Sequence, residues 1–444
     1  MMNTSMLQYR LLPRTGVLAM VLLSLCLPLP SSAQSSEDGS IYSRFGVGAR
    51  SAFNSSKSLM MGGAGVALKS VDYTNHLNPA SLNDQILTRF AGGFTLEGVT
   101  ATAMDAEKSR LTSGYLNALQ LSFPLMAGRL GLGFNFEPYS KIGYRVEKGG
   151  TAVVDPEEGT QEAYTTRFSG NGGIQRLSGG FGVLLVRGLS IGLRADLLFG
   201  ILEQTQQTHF LNSTLRDGNV VASTRLHGAT ATFGLRYVYH GLLKENDQLS
   251  FGAAYTMPVT LKGEQVLTTG KTETADTLGQ VLRGNVHLPV FAAVGLAYQP
   301  SARWTVIADV EHEPWSSFRS DLPLPGYEMG VTDGFENRTR ISGGIEFFPG
   351  ATETRPNFFE RLVFRVGAYS DPSYVSPDPE HTIKSYGFTG GISIPSRSIG
   401  TSIDINLEVG RRGTTDYGLI NDNFLRFGVN LNFGERWFDR ARLL

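Results

Sequence analysis

Seven histidines, one cysteine and a near-balanced set of charges are the residues from which metal or nucleophilic chemistry would have to be built in this chain. The histidines are His76, His209, His227, His240, His287, His312 and His381, and they show no ligand or triad spacing. The densest group is Glu311-His312-Glu313. In an extended segment alternate residues point to opposite faces, so both carboxylates turn away from the imidazole between them. The cysteine, Cys26, lies in an apolar run near the N-terminus, and removal of that run leaves no thiol for a disulfide, a nucleophile or a metal. These residues imply no enzyme, no cofactor and no metal site. A formal net charge of -1 gives no pull toward nucleic acid, so DNA and RNA are set aside as partners.

The elements that would position any site begin after a leader. Arg10 and Arg14 precede an apolar run from Gly16 to about Pro30, with small residues at Ser31 and Ala33. This is the pattern of a secretory signal peptide over residues 1–33, cut after Ala33, and it directs the chain out of the cytoplasm. The stretch Leu23-Ser24-Leu25-Cys26 admits a lipoprotein reading, although the residue before a lipidated cysteine is normally small. No later run is long and apolar enough for a membrane-spanning helix.

Period-two alternation recurs through the rest. Ile403, Ile405, Leu407 and Val409 alternate with Ser402, Asp404, Asn406 and Glu408, and Leu425 to Phe433 alternate with Arg426, Gly428, Asn430 and Asn432. One face of each segment suits hydrocarbon and the other a polar lumen, which predicts an all-β transmembrane antiparallel barrel. Counting gives about fourteen strands, near 86–99, 114–123, 129–147, 174–186, 189–210, 220–240, 247–269, 285–299, 303–317, 336–348, 359–371, 383–395, 400–413 and 422–434. An even number permits closure.

The connections support this reading. Turns near Ala127, Gly188, Lys244, Ser301 and Ser396 are short, while those around 100–113, 148–172, 270–283, 318–335 and 372–382 are long, the alternation of periplasmic turns and external loops. Gly350 to Phe358 breaks the rule. Tyr237, Tyr239, Tyr255, Tyr298, Trp304, Trp315, Tyr369 and Tyr386 lie toward strand ends, where aromatic rings favour the membrane interface. A soluble β-sandwich would also alternate, but it would not need strands this long in an unbroken series.

Residues 34–85 do not alternate and are too irregular for lipid-facing wall, where unpaired backbone groups are costly. They belong outside the membrane or inside the pore. Here the chain reads Ser43-Arg44-Phe45-Gly46-Val47-Gly48, then Met61-Gly62-Gly63-Ala64-Gly65-Val66-Ala67, then Asp72, then Asn78-Pro79-Ala80-Ser81-Leu82. This segment resembles the hatch of the FadL family of outer-membrane channels for long-chain fatty acids and other hydrophobic compounds. The resemblance implies an N-terminal plug in the lumen of the barrel (86–434), with an Asn-Pro-Ala sequence near a ligand site. Gly62, Gly63 and Gly65 permit backbone conformations and approaches that side chains forbid, and Pro79 pushes Asn78 toward an extended conformation, stiffening Asn78-Pro79-Ala80. Plug packing and ligand contact are both open for these six residues.

In the third strand, Leu130, Leu132, Phe134 and Phe136 form an outward set that continues in phase to Ile142, Tyr144 and Val146, but Pro138 interrupts it and removes a ladder hydrogen bond. The family resemblance implies sideways release through such a defect, placing a lateral opening at Glu137, Pro138, Tyr139 and Ser140; a β-bulge without transport role is the other reading.

Arg194, Asp196, Arg236, Asp309, Arg340, Glu346, Arg365, Asp404, Glu408 and Arg426 fall on inward positions in both signs, as an ion-pair network anchoring the plug. Leu184, Leu198, Leu202, Phe291 and Phe348 would line an apolar path. The expected function is passive uptake of a hydrophobic small molecule by a monomer seated in outer-membrane lipid. The rival is a PorV-like, non-transporting subunit that holds cargo for secretion-system proteins. The C-terminal segment 435–444, with Trp437-Phe438-Asp439-Arg440 beyond the last strand, is expected as a periplasmic tail that suits a partner.

Overall fold

The computed structural model describes residues 39–436, apart from 52, 105–107, 156–159, 213, 271–275, 328–333, 377–380 and 397–399. The leader and the residues after 436 lie outside the described residues. Fourteen antiparallel wall strands follow one another: β1 (Thr88–Ala103), β2 (Ser109–Met126), β3 (Leu130–Pro138, then Ser140–Asp155), β4 (Thr160–Val186), β5 (Leu189–Phe210), β6 (Gly218–His240) and β7 (Gln248–Thr256, then Val259–Thr269). They continue as β8 (Leu282–Leu288, then Phe291–Ser301), β9 (Trp304–Glu313, resumed at Arg319–Ser320), β10 (Arg338–Phe347), β11 (Val363–Pro372), β12 (Lys384–Pro395), β13 (Ser402–Arg412) and β14 (Ile420–Glu435). β14 pairs with β1 from Thr88↔Glu435 to Ala103↔Ile420, which closes the barrel. Closure leaves no free sheet edge at that seam, the condition for a sheet in hydrocarbon. No helix among the described residues is long and apolar enough to cross a membrane.

The side chains are sorted as an outer-membrane wall requires. Along β13, Ile403, Ile405, Leu407 and Val409 are exposed, whereas Asp404, Asn406 and Glu408 between them are buried in the lumen. A water-soluble sheet would reverse this arrangement, since apolar surface in water is unfavourable by about 25 cal/mol per Å². The band of exposed apolar side chains is the lipid-facing surface of the protein.

Four wall strands are interrupted, each beside a proline: β3 after Pro138, β7 at Met257-Pro258, β8 at Pro289-Val290 and β9 at Pro314. Proline cannot donate to a ladder, so the chain leaves regular pairing there. The alternation had read 247–269 and 285–299 as single segments.

The connection expected at 148–172 is instead mostly strand. β3 and β4 pair continuously from Ile142↔Gly172 to Val153↔Gln161, and β4 is 27 residues long, roughly 90 Å end to end. Its first half carries Gln161, Glu162, Thr165, Thr166 and Arg167, which read as loop because no lipid-facing alternation is needed beyond the bilayer. The long link at the short-turn end is held by its own bonds: Gly350 N–H donates to Glu360 O at 2.8 Å, and Asn357 and Glu360 exchange backbone-to-side-chain bonds at 2.8 and 3.0 Å.

Of the aromatic residues expected at the interface, Tyr237, Tyr239, Tyr255, Trp304 and Tyr386 are exposed on the wall. Trp315 is a correction: it is fully buried. After Pro314 the chain makes a short 3-10 turn (Trp315–Ser317) before β9 resumes, and the excursion carries Trp315 and Phe318 into the lumen.

Candidate functional site

The N-terminal segment fills the middle of the lumen, and the inward face of the wall is cut back to receive it. A Cβ on Gly131 or Gly133 would collide with Leu82, on Gly182 or Gly192 with Pro79, on Gly252 with Val66, and on Gly344 or Gly367 with Met61. Gly62 and Gly63 adopt left-handed backbone (φ 72° and 88°), and Gly65 lies against Ser58. The bend sends Gly62 N–H to Thr389 Oγ1 (2.8 Å) and its carbonyl to Arg340 Nη2 (2.8 Å), while Gly65 and Val66 N–H both donate to Asp309 Oδ2 at 2.5 and 2.7 Å. Asn78 is extended (φ −118°, ψ 105°) and caps a 3-10 helix (Pro79–Asp84) by accepting from Ala80 N–H. Its amide nitrogen donates to Val66 O and Leu235 O at 2.8 and 3.0 Å, stitching the segment to β6.

Ion pairs complete the attachment. Asp84 accepts from both terminal nitrogens of Arg236 at 2.5 Å; Lys57 meets Glu346 at 2.8 Å, and Glu346 also accepts from Arg365 at 2.6 Å. Arg50 pairs with Glu313 at 3.2 Å, and Ser56 and Tyr73 donate to Asp404 at 2.5 and 3.1 Å. Pairs this enclosed escape solvent screening, and removing one partner strands a buried charge.

Above this layer the lumen is apolar. Leu198, Leu202, Leu226, Leu261, Val286 and Leu288 line it, and Trp315, Phe318, Leu322, Leu324, Tyr327 and Phe335 from the β9–β10 connection pack onto them. Trp315 stacks on Tyr374 with centroids 3.9 Å apart. The residues read from sequence as one apolar path are therefore divided. Leu198 and Leu202 belong to this core and Phe291 stands half-buried where β8 resumes, whereas Leu184 and Phe348 lie at the short-turn end, with the N-terminal segment between the two groups.

Strand pairing in the wall is interrupted beside this core. β2 pairs with β3 only between Leu119↔Phe136 and Met126↔Leu130; from Ser109 to Ala118 its partner is β1 alone among the described residues. The second part of β3 turns away from β2, and the place of the missing neighbour is taken from inside by Ala49 and Arg50, which pair with Lys141 and Ser140. Glu137, Pro138, Tyr139 and Ser140 form the corner. Tyr139 N–H reaches Ile174 O (2.8 Å), its carbonyl accepts from Ser51 N–H and Arg50 Nη1, and its ring lies 3.7 Å from the Arg50 guanidinium carbon. The Lys141 ammonium spans this interruption to sit 2.8 Å from the Tyr115 ring centroid.

One extra residue makes the corner. Pro138 faces Gln175 and Ile142 faces Gly172, so four steps on β3 match three on β4. Because side chains alternate with period two, this bulge inverts the faces of everything after it. Phe134 is 46% exposed on the lipid side, but Ile142 and Tyr144, expected outward in the same phase, are 4% and 2% exposed in the apolar core. Opposite the corner, Gly172 and Gly173 take φ values of 98° and 136°, conformations costly for any residue with a Cβ. That glycine pair was the sequence signal for the break, and it lay in a stretch read as loop.

His312 is exposed while Glu311 and Glu313 are buried beside it, Glu313 accepting from Arg50. Among the described residues no three histidine, acidic or cysteine side chains gather as a metal site.

The family model described as BamG matches residues 17–443. The fold is that of FadL-type outer-membrane channels. The structure of the CymD monoaromatic hydrocarbon channel aligns with a TM-score of 0.54 at 15% identity, covering 87% of this chain and 98% of that one. The Pseudomonas putida toluene transporter TodX aligns at 0.52 and 17%, covering 88% and 100%. A Pseudomonas aeruginosa FadL homologue aligns at 0.54 and 12%, covering 87% and 99%. No curated protein matches the sequence.

Proposed function

This chain belongs to the BamG family, and we propose that it is an outer-membrane channel for passive uptake of hydrophobic compounds, long-chain fatty acids or similar molecules. The breach at Glu137, Pro138, Tyr139 and Ser140 carries this reading. A defect in a lipid-facing wall is unfavourable unless used, because strand edges in hydrocarbon leave backbone groups without partners. Here the defect joins an apolar lumen to the bilayer, so a ligand leaves sideways without crossing water. The ligand is captured at the outer loops, replaces apolar contacts of the core, reaches the N-terminal segment near Asn78-Pro79-Ala80, and exits by the breach. Transfer runs down the gradient of the ligand. The similarity to channels described as carrying toluene and other monoaromatic hydrocarbons supports the same class of cargo.

The test is to close the breach. Pro138→Val combined with deletion of Tyr139 restores both the missing donor and the side-chain phase, and uptake of labelled fatty acid into vesicles should fall at least tenfold, an estimate of about 1.4 kcal/mol on the exit step. Uptake equal to that of the unaltered protein refutes the exit route.

A second reading draws on a different observation. The outer lumen is packed with the chain's own Trp315, Phe318 and Leu322, as suits a closed barrel that serves as a PorV-like subunit holding exported proteins. Absence of uptake together with co-purification of secretion components supports that reading; uptake without such partners supports the channel.

A further inference from the structure

The mid-lumen pairs described above leave one stripe incomplete. Asn135 is 2% exposed, yet neither its amide nitrogen nor its amide oxygen makes a hydrogen bond among the described residues. Two positions along the same inward face, Glu137 is 1% exposed; its Oε1 accepts from Arg176 Nε at 2.9 Å and its Oε2 is unused. Two positions the other way, Gly133 lies against the ring of His76, whose Nε2 is also unused. Buried polar atoms are nearly always paired, so two neighbouring inward residues on one strand, with His76 of the N-terminal segment packed beside them, point to a partner supplied from outside the chain.

Resting on the channel reading, we propose that this stripe binds the uncharged polar head of an otherwise apolar ligand, a hydroxyl or carboxamide, before the ligand leaves by the breach. Asn135 both donates and accepts, as a hydroxyl requires. The cations nearby are committed: Arg176 to Glu137, and Arg194 to Asp196 at 2.7 Å. His76 is neutral, because burial and the Arg194 and Arg176 charges hold its pKa at about 3. A carboxylate at Asn135 would thus meet the free oxygen of Glu137, while Lys141, which makes no ion pair among the described residues, lies past the corner with its ammonium on the Tyr115 ring, so the stripe itself is an unfavourable place for a buried anion.

The adjoining wall carries a row of uncharged polar side chains at this level. Thr95 donates to Asn117 (2.8 Å), Asn117 to Asn430 (3.1 Å) and Asn430 to Asn406 (2.9 Å). Gln120, the cross-strand neighbour of Asn135, donates to Asn54 O at 2.8 Å. Phe53, Ala91 and Ala118 pack beside Gln120 and give this side of the stripe an apolar border.

The experiment measures equilibrium binding of radiolabelled 1-dodecanol and dodecanoate to the full chain in micelles, against protein-free micelles, alongside vesicle uptake of both. The alcohol should bind about tenfold more tightly than the acid, and Asn135→Leu should abolish that preference. Glu137→Gln, which frees Arg176, should raise dodecanoate binding severalfold, and it keeps the inference testable if the leucine variant does not fold. Equal binding of the two compounds, or a preference that survives Asn135→Leu, overturns the head-group site while uptake leaves the channel intact. If neither compound binds nor crosses, the channel reading fails and the site with it.

Discussion

Replacing Asp84 by alanine should release the N-terminal segment from the wall without unfolding the barrel. Asp84 receives two bonds of 2.5 Å from Arg236, both groups being almost completely enclosed. Arg236 retains Asn83 Oδ1 at 3.0 Å and Leu68 O at 3.3 Å, neither of which carries charge. Stranding a buried guanidinium costs about 3–5 kcal/mol. With tenfold per 1.4 kcal/mol, amide hydrogens of residues 60–85 that exchange through release of the segment should exchange faster by roughly two to three and a half decades, while wall amides hold their rates. Asp84→Leu with Arg236→Met removes both charges and should recover most of that loss, because an apolar pair of similar volume often matches a buried ion pair. Arg283 and Glu264 supply the control: they pair at 3.1 Å on the surface, with side chains 80% and 40% exposed, and Glu264→Ala should change exchange by less than about tenfold. Should Asp84→Ala alter the segment no more than Glu264→Ala, the claim that lumenal ion pairs anchor it is wrong.

Gly367→Ala places a methyl group on the backbone of Met61 and Gly62 and should loosen the segment by about 1–3 kcal/mol, read as faster proteolysis between residues 39 and 87; Gly98→Ala, whose new atom meets nothing nearer than 3.9 Å, should be silent. Trp315→Ala empties the centre of the outer core, which should destabilise it by about 3–5 kcal/mol, seen as a lower melting temperature in vesicles. Burial together with the Arg194 and Arg176 charges lowers His76 to about 3 from its ordinary 6.5. The enclosed ring therefore takes up no proton at pH 5 while the released one does, so hold on the segment is complete above about pH 6.5 and declines as pH falls toward 3. Amide exchange at pH 7 and pH 5, corrected for intrinsic rates, should show that decline, and His76→Gln should abolish it.

The wall was legible because hydrocarbon imposes the same demand on every strand. Ile403 to Val409 announce both strand and face, since each would be misplaced in the lumen, and the partners Asp404 and Glu408 would be misplaced in lipid. Outside the bilayer that demand lapses, which is why the polar first half of β4 passed for a loop. Trp315 was misplaced for a related reason: an aromatic ring at a strand end suits an interface and an apolar lumen equally, and the choice depends on the chain excursion after Pro314. Several anchors were legible as inward charges, but their partners were not. Asp84, Lys57 and the carbonyl of Gly62 lie in a segment with no periodicity, so nothing in its sequence states which wall residue each one meets.

The corner at Tyr139 shows why alternation could locate the defect without describing it. A period of two is blind to its own phase: Pro138 marked the interruption, but the pattern Leu130, Phe134, Ile142, Tyr144 reads equally well with or without an inserted residue. The insertion has two consequences that a proline alone would not produce. It carries the rest of β3 away from β2, and it exchanges the faces of that strand, so that Ile142 and Tyr144 become lining of the outer lumen while the strand edge they leave is taken by Ala49 and Arg50. The loss of β2–β3 pairing and the apolar lining therefore share one cause. Moving the extra residue elsewhere on β3 would shift both together, whereas a simple gap would open the wall onto the polar face set by Asn135 and Glu137.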